Sequence, residues 1–301
     1  MIIRVTRKEL DIEKYNACIK NSIQSNIYGF SWYLDIVCDH WDVLVLNNYE
    51  AVMPIPWRKK YFMEYVYPPF WVLQLGIFSI EIEDENEFLI ELLEDFKFVE
   101  IRTNSKNCFS MFDDFQQEKN LQILSLKEDY NTILLKYKKD RKRNLLRAKK
   151  YDLIERWNDN PEKLIELFKA NVGKRVKKIK DKDYTILLKV MKICIEKKAG
   201  EILSIYDNND KLVASGFFLK YNKRVTILVS STDFKNRKNG ANTFLIDRAI
   251  FKYRPNFDVF DFGGSSMKNI AKYFLSFGGK DEKYIQLKYN NLPKFLKWFK
   301  R

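Results

Sequence analysis

Residues 258–279, DVFDFGGSSMKNIAKYFLSFGG, carry the groups best arranged for chemistry. Residues 259–262 read as a short buried strand that brings the Asp261 carboxylate to a Gly263-Gly264 turn. Ser265-Ser266 can cap the helix that follows. On that helix Ile270, Phe274 and Phe277 recur at one-face spacing, and Gly278-Gly279 ends it. Such a unit can hold a ligand. The carboxylate orients or deprotonates an amine, and the exposed N–H groups and helix dipole attract an anion or a polarised carbonyl. It can equally be a tight connection in an α/β core, with Asp261 as a turn or capping carboxylate.

Other chemistries are narrowed by composition. The 301 residues hold one histidine, His40, and four scattered cysteines (Cys18, Cys38, Cys108, Cys194) with no CxxC pair. A His-rich metal site is excluded and no metal is expected; a Ser-His-Asp or Cys-His nucleophile would have to use His40, which beside Trp41 reads as structural. The free-cysteine pattern fits a reduced, cytoplasmic setting. No apolar run is long and unbroken enough to span a bilayer, and the first residues lack a signal-peptide core. Charge is unevenly shared: residues 1–135 carry 13 Lys+Arg against 22 Asp+Glu, and residues 136–301 carry 41 against 18. A basic half beside an acidic one points to a polyanionic ligand such as coenzyme A, a nucleotide-linked precursor, tRNA or an anionic membrane surface.

The elements that must position these groups are of mixed α/β type on both sides of residue 130. In the first half, strands are expected at 2–5, 43–46, 51–57, 62–67, 71–75 and 98–103, with helices at 11–23, 31–39 and 85–96. Pro54 and Pro56 argue for an edge position of the 51–57 strand. Residues 132–151 predict an amphipathic helix with Lys136, Lys139, Arg143, Arg147 and Lys150 on one face, either simply solvated or binding a polyanion. The second half reads helix (161–173), helix (184–198), a three-strand meander (201–206, 212–221, 225–231), helix (241–253), the strand–GG–helix unit, a strand at 284–288 and a closing helix at 292–299.

That order resembles the GNAT acyltransferase fold. The loop FKNRKNGAN before the 241–253 helix is similar to the GNAT pyrophosphate loop, with Arg237, Gly240 and Ala241 in its pattern but its second glycine absent. Such a loop holds phosphates because converging N–H groups meet oxygens over a turn free of side chains. More specifically, NGANTFLIDRAI, DFGG and FLSFGG resemble the Fem-type peptidyltransferases, tandem GNAT-like proteins that transfer amino acids from aminoacyl-tRNA to peptidoglycan precursors. The resemblance covers about 130–301. It implies a degenerate GNAT-like domain at 1–130 and a GNAT-like acyltransferase domain at 131–301 in a bacterial chain. By residue it implies donor binding at Ser231, Arg237, Lys238, Gly240, Ala241 and Asn242. Gln74, Gly263, Gly264 and Ser265 are candidates on the acceptor side, and Asp261 and Tyr273 are the catalytic candidates.

Two positions depart from the pattern. GNAT proteins often place a leaving-group-protonating Tyr four residues before the terminal glycine; that position is Phe274, with Tyr273 about 100° away around the helix. The Fem pattern has Lys where this chain has Leu275. Three readings follow. One is an acyl- or aminoacyltransferase acting on an amine, with acyl-CoA or aminoacyl-tRNA as donor and a cell-envelope precursor as acceptor. The others are an ordinary acetyl-CoA-dependent N-acetyltransferase and a non-catalytic polyanion-binding relative.

Overall fold

A computed structural model describes residues 1–60, 62–81, 84–176, 179–264 and 267–293, the side chains of Asn236 and Arg237 excepted. These residues pack as two compact units, one formed by Met1–Lys119 with 283–293 and the other by Asn120–Glu282. The division expected at 130–131 lies inside the second of these.

In the first unit β1 (Ile2–Thr6) is followed by α1 (Ile12–Asn21), α2 (Ser31–Val37), β2 (His40–Leu46), β3 (Ala51–Lys60), β4 (Met63–Val66), β5 (Phe78–Ser79), α3 (Glu85–Asp95) and β6 (Phe98–Arg102). The strand β7 (Gln116–Ser125) then leads into the second unit. There the order is α4 (Tyr130–Leu135), α5 (Lys139–Lys150), β8 (Ile154–Trp157), α6 (Pro161–Ala170), α7 (Asp181–Glu196), β9 (Gly200–Tyr206), β10 (Leu212–Tyr221), β11 (Arg224–Thr232), α8 (Ala241–Tyr253), β12 (Val259–Asp261) and α9 (Lys268–Leu275). The strand β13 (Lys280–Asn290) returns the chain to the first unit.

Each unit repeats one plan: a strand, two helices, an antiparallel meander, a helix, and a strand parallel to the last strand of the meander. In the first unit the ladder runs β1-β2-β3-β4-β6-β13, with β4 and β6 parallel at Val66↔Val99. In the second it runs β8-β9-β10-β11-β12-β7, with β11 and β12 parallel through Arg224↔Val259 to Thr226↔Asp261. The expected tandem GNAT-like α/β architecture is therefore present, and each sheet closes on an antiparallel strand, β13 on β6 and β7 on β12.

The two units differ at one helix end. Its helix α3, equivalent by order to α8, is capped by the Asp84 side chain on the Asn86 N–H and carries Glu85 and Glu87 in its first turn. The chain's own carboxylates thus occupy the end where an anion would be attracted. The first turn of α8 contains no acidic residue.

Three local expectations are corrected. The strand β3 is interior: its prolines fall at 53–56, the interval left between its pairing with β5 (51–52) and with β4 (57–60). Residues 71–75 form no strand; only Leu75 bridges Thr103, because residues 67–74 loop out between Val66 and that bridge. The basic segment 132–151 is two helices, broken at 136–138, where the Lys138 N–H turns to the Ser276 carbonyl at 2.9 Å. The closing helix expected at 292–299 and the Ser265-Ser266 cap lie outside the described residues, apart from Leu292 and Pro293, which are not helical.

The core of the second unit forms where α8 lies on the meander. Leu245, Ile246, Ala249 and Ile250 are buried against Leu203, Ile205, Val213 and Phe218. Fully burying each Leu or Ile contributes about 1.5–3 kcal/mol. An aromatic cluster extends this core to α9: Phe262 stacks on Phe274 at 5.0 Å, and Phe277 meets Tyr137 edge-on at 5.1 Å.

Candidate active site

The site is built where β11 and β12 part. Their parallel pairing stops at Thr226 and Asp261; β11 continues to Thr232, whereas the chain after Asp261 turns away through Gly263 and Gly264 at φ of +78° and +65°. Such left-handed backbone suits glycine. A wedge opens between the strands, and α8 begins after the end of β11.

Two helices, α5 and α9, converge on the first turn of α8. Its neighbour α5 presents Arg141 and Asn144: Arg141 Nη1 donates to Thr243 Oγ1 at 2.9 Å, and Asn144 Nδ2 donates to the same oxygen at 3.4 Å. From α9 the Tyr273 hydroxyl stands 3.3 Å from Thr243 Oγ1, while the Arg141 guanidinium covers the Tyr273 ring at 4.3 Å from its centroid. The turn after α9 packs closely on the end of α4, where Gly278, at φ +83°, leaves room for Lys136; a Cβ there would lie 2.6 Å from Lys136 Cβ. The Tyr273 pKa is raised by burial, against the opposing pull of Thr243, Arg141 and Asn242, so the phenol keeps its proton at neutral pH. Arg141 Nε is buried with no hydrogen-bond partner among the described residues, leaving the cluster one donor to offer an anion or an ordered water.

The expected donor-site residues lie in different surroundings. Asn242 and Ala241 lie in the first turn of α8, and the Ala241 N–H is already bonded to Asn239 Oδ1 at 2.9 Å. Gly240 takes φ +83°, and a Cβ on it would lie 2.2 Å from the Asn144 carbonyl oxygen, so close packing of α5 accounts for the glycine. Lys238 is exposed. The Arg237 side chain lies outside the described residues. Ser231 is buried and donates to the Leu167 carbonyl on α6 at 3.2 Å.

Asp261 is buried with both carboxylate oxygens engaged. One accepts from Arg224 Nε at 3.0 Å and the other from the Gly263 N–H at 2.9 Å, while Arg224 also pairs with Glu282. Burial raises its pKa, and Arg224 pulls the other way. Gly263 and Gly264 form the turn at the wedge; Ser265 lies outside the described residues. Gln74 belongs to the first unit, where it is buried with its Nε2 unpartnered among the described residues. His40, also in the first unit, stacks on Trp57 at 4.5 Å beside a cavity of about 630 Å³.

Arg141 and Thr243 are the residues that sequence reasoning missed. A signal existed for Arg141: it falls out of phase with the lysine stripe of α5, on the face that carries Asn144 and Ala148. A lone cation on the packed face of a basic helix is placed there for a partner. Thr243 gave no signal of its own.

Among the described residues there is no group of three or more His, Cys, Asp or Glu able to hold a metal, and no helix long and apolar enough to cross a membrane. No protein-family model and no curated protein sequence matches this chain. Solved structures do. A crystal structure of FemX aligns over 100% of both chains with a TM-score of 0.68 at 9% identity. L-PGS from Bacillus licheniformis aligns over 96% of this chain and 95% of its own with a TM-score of 0.57 at 12% identity. A tandem GNAT protein from the clavulanic acid biosynthesis pathway aligns over 98% of this chain and 100% of its own, with a TM-score of 0.55 at 7% identity. With its repeated strand plan, the chain has the Fem-like, GNAT-related tandem fold.

Proposed function

We propose that the chain is an acyl- or aminoacyltransferase that moves an acyl group from a polyanionic carrier, acyl-CoA or aminoacyl-tRNA, to an amine. The observation that carries this reading is the Arg141–Thr243–Tyr273 cluster on an acid-free helix N-terminus. Transfer to an amine needs a bound ester or thioester, a neutral amine at its carbonyl, and donors for the charge that develops. It demands no covalent nucleophile, which suits a chain whose buried Cys18 and Cys194 thiols are pushed up to about 12 by desolvation.

In this reading Tyr273 protonates the leaving thiolate or ribose oxygen. Its hydroxyl is held by Thr243 and its ring is fixed beneath Arg141. The α8 N-terminus, Arg141 and the exposed Lys235 and Lys238 supply positive potential for the carrier's phosphates. We assign Asp261 to positioning, since both its oxygens hold the strand end at which the wedge opens. Gly263 and Gly264 let the chain turn away after Asp261, and Gly264 packs so closely on Leu121 that a Cβ would lie 2.6 Å from its side chain. Support for the transferase class comes from the fold shared with FemX, L-PGS and the tandem GNAT protein. A cell-envelope precursor as acceptor and a cytoplasmic, bacterial setting belong to the same proposal.

The test is to supply acetyl-CoA or a pool of charged tRNAs with a panel of amines, following free thiol or deacylated tRNA and the mass of each amine. Turnover with one donor class supports the reading and names the carrier. Tight binding of a carrier without transfer to any amine would instead favour a non-catalytic polyanion-binding protein.

A further inference from the structure

The outward face of α5 is used by none of the contacts above. Arg141, Asn144 and Ala148 face α8 and the loop before it; the opposite side centres on Leu146, which is 71% exposed. At about 100° per residue, Lys139, Lys142, Arg143, Lys149 and Lys150 all lie within about 60° of Leu146 around the helix. From the end of α4 comes Leu135, 74% exposed, joined to this surface where Lys142 Nζ donates to the Leu135 carbonyl at 3.0 Å. Residues 138–150 hold eight Lys and Arg against a single acid, Asp140, which pairs with Arg143. Among the described residues Lys138, Lys139, Lys149 and Lys150 are exposed and form no salt bridge.

We propose that this face docks on an anionic lipid surface, with Leu135 and Leu146 entering the headgroup boundary and the surrounding lysines meeting lipid phosphates. A leucine within a ring of cations, with a second exposed leucine at the adjoining helix end, gives an RNA backbone nothing to bind. A bilayer interface rewards both groups at once, through burial of apolar surface and through its negative surface potential. Long lysine stems can lie along the interface with their charges outward. The inference does not rest on the transferase reading, because none of these side chains belongs to the Arg141–Thr243–Tyr273 cluster.

The test is flotation of the full chain with vesicles of phosphatidylcholine alone and of phosphatidylcholine containing phosphatidylglycerol. The chain should float only with the anionic vesicles, and less so as salt rises. The double variant Leu135→Ser/Leu146→Ser should lose about tenfold or more in partitioning. The triple variant Lys139→Gln/Lys149→Gln/Lys150→Gln should lose about a hundredfold. All five positions are exposed, so unchanged melting temperatures verify folding. A parallel mobility shift with mixed tRNA separates the other polyanion. The proposal is overturned if the wild-type chain stays with neither vesicle, if the serine pair floats as well as wild type, or if the lysine variant loses tRNA binding and keeps vesicle binding.

Discussion

The Arg141 guanidinium lies over the ring of Tyr273, 4.3 Å from its centroid, and both residues reach the same Thr243 oxygen. Each comes from a different helix, so the phenol is oriented by contacts that α9 could not provide alone. The aromatic ring and the cation attract each other by about 0.5–2 kcal/mol. The orientation also accounts for Phe274: that side chain stacks on Phe262 in the core, and the neighbouring tyrosine carries the hydroxyl towards α8.

Arg141→Ala should lower kcat/KM about ten- to a hundredfold, the worth of a hydrogen bond from a charged group. Arg141→Lys should restore only part of it, because an ammonium cannot reproduce the planar contact with the ring. Steady-state kinetics beside a melting curve read both effects; full activity in the alanine variant would remove Arg141 from the site.

Gly240→Ala should destabilise the second unit by at least about 2 kcal/mol, combining the left-handed backbone with a Cβ driven against the Asn144 carbonyl oxygen. Asn144→Ala should not rescue it, since the clash is with main chain. A melting temperature unchanged by Gly240→Ala would show that α5 does not pack there as described.

Much of this was legible in the sequence, and the part that was not has a common cause. The meander, α8 and the strand–GG unit follow from apolar periodicity and turn residues, which are local. The break at 136–138 was hidden because the lysine stripe continues in phase across it, while the break is set by a distant carbonyl, that of Ser276. The local pattern around Gly240 matches a phosphate loop, and only the folded chain shows that α5 also packs against it. Tyr273 was found, but the Thr243 and Arg141 that orient it lie 30 and 132 positions earlier in the chain, beyond any local pattern.

Asp261→Asn keeps an acceptor for the Gly263 N–H and weakens the pair with Arg224, which retains Glu282. Stability should fall by about 1–3 kcal/mol and turnover by less than tenfold. A loss of a hundredfold or more with an unchanged melting temperature would return Asp261 to the role of base.

Asp247 is buried and accepts from the Tyr130 hydroxyl at 2.8 Å, and burial raises its pKa. The folded chain therefore binds this proton more tightly than the unfolded chain, and stability is lost as pH rises from about 4 through the raised value. Asp247→Asn lacks that component. The stability difference, wild type minus variant, should fall across this window; a flat difference would show that the carboxyl is not held up by burial.

The most direct measurement is Tyr273→Phe, which removes one oxygen and leaves the ring beneath Arg141. Single-turnover kinetics with whichever donor supports transfer should show the chemical step slowed by about 10²–10⁴-fold, the range for general acid catalysis. Donor affinity should be nearly unchanged, and stability should drop by no more than about 1 kcal/mol for the lost contact with Thr243. A Tyr273→Phe protein that transfers at the wild-type rate would contradict the account at its centre.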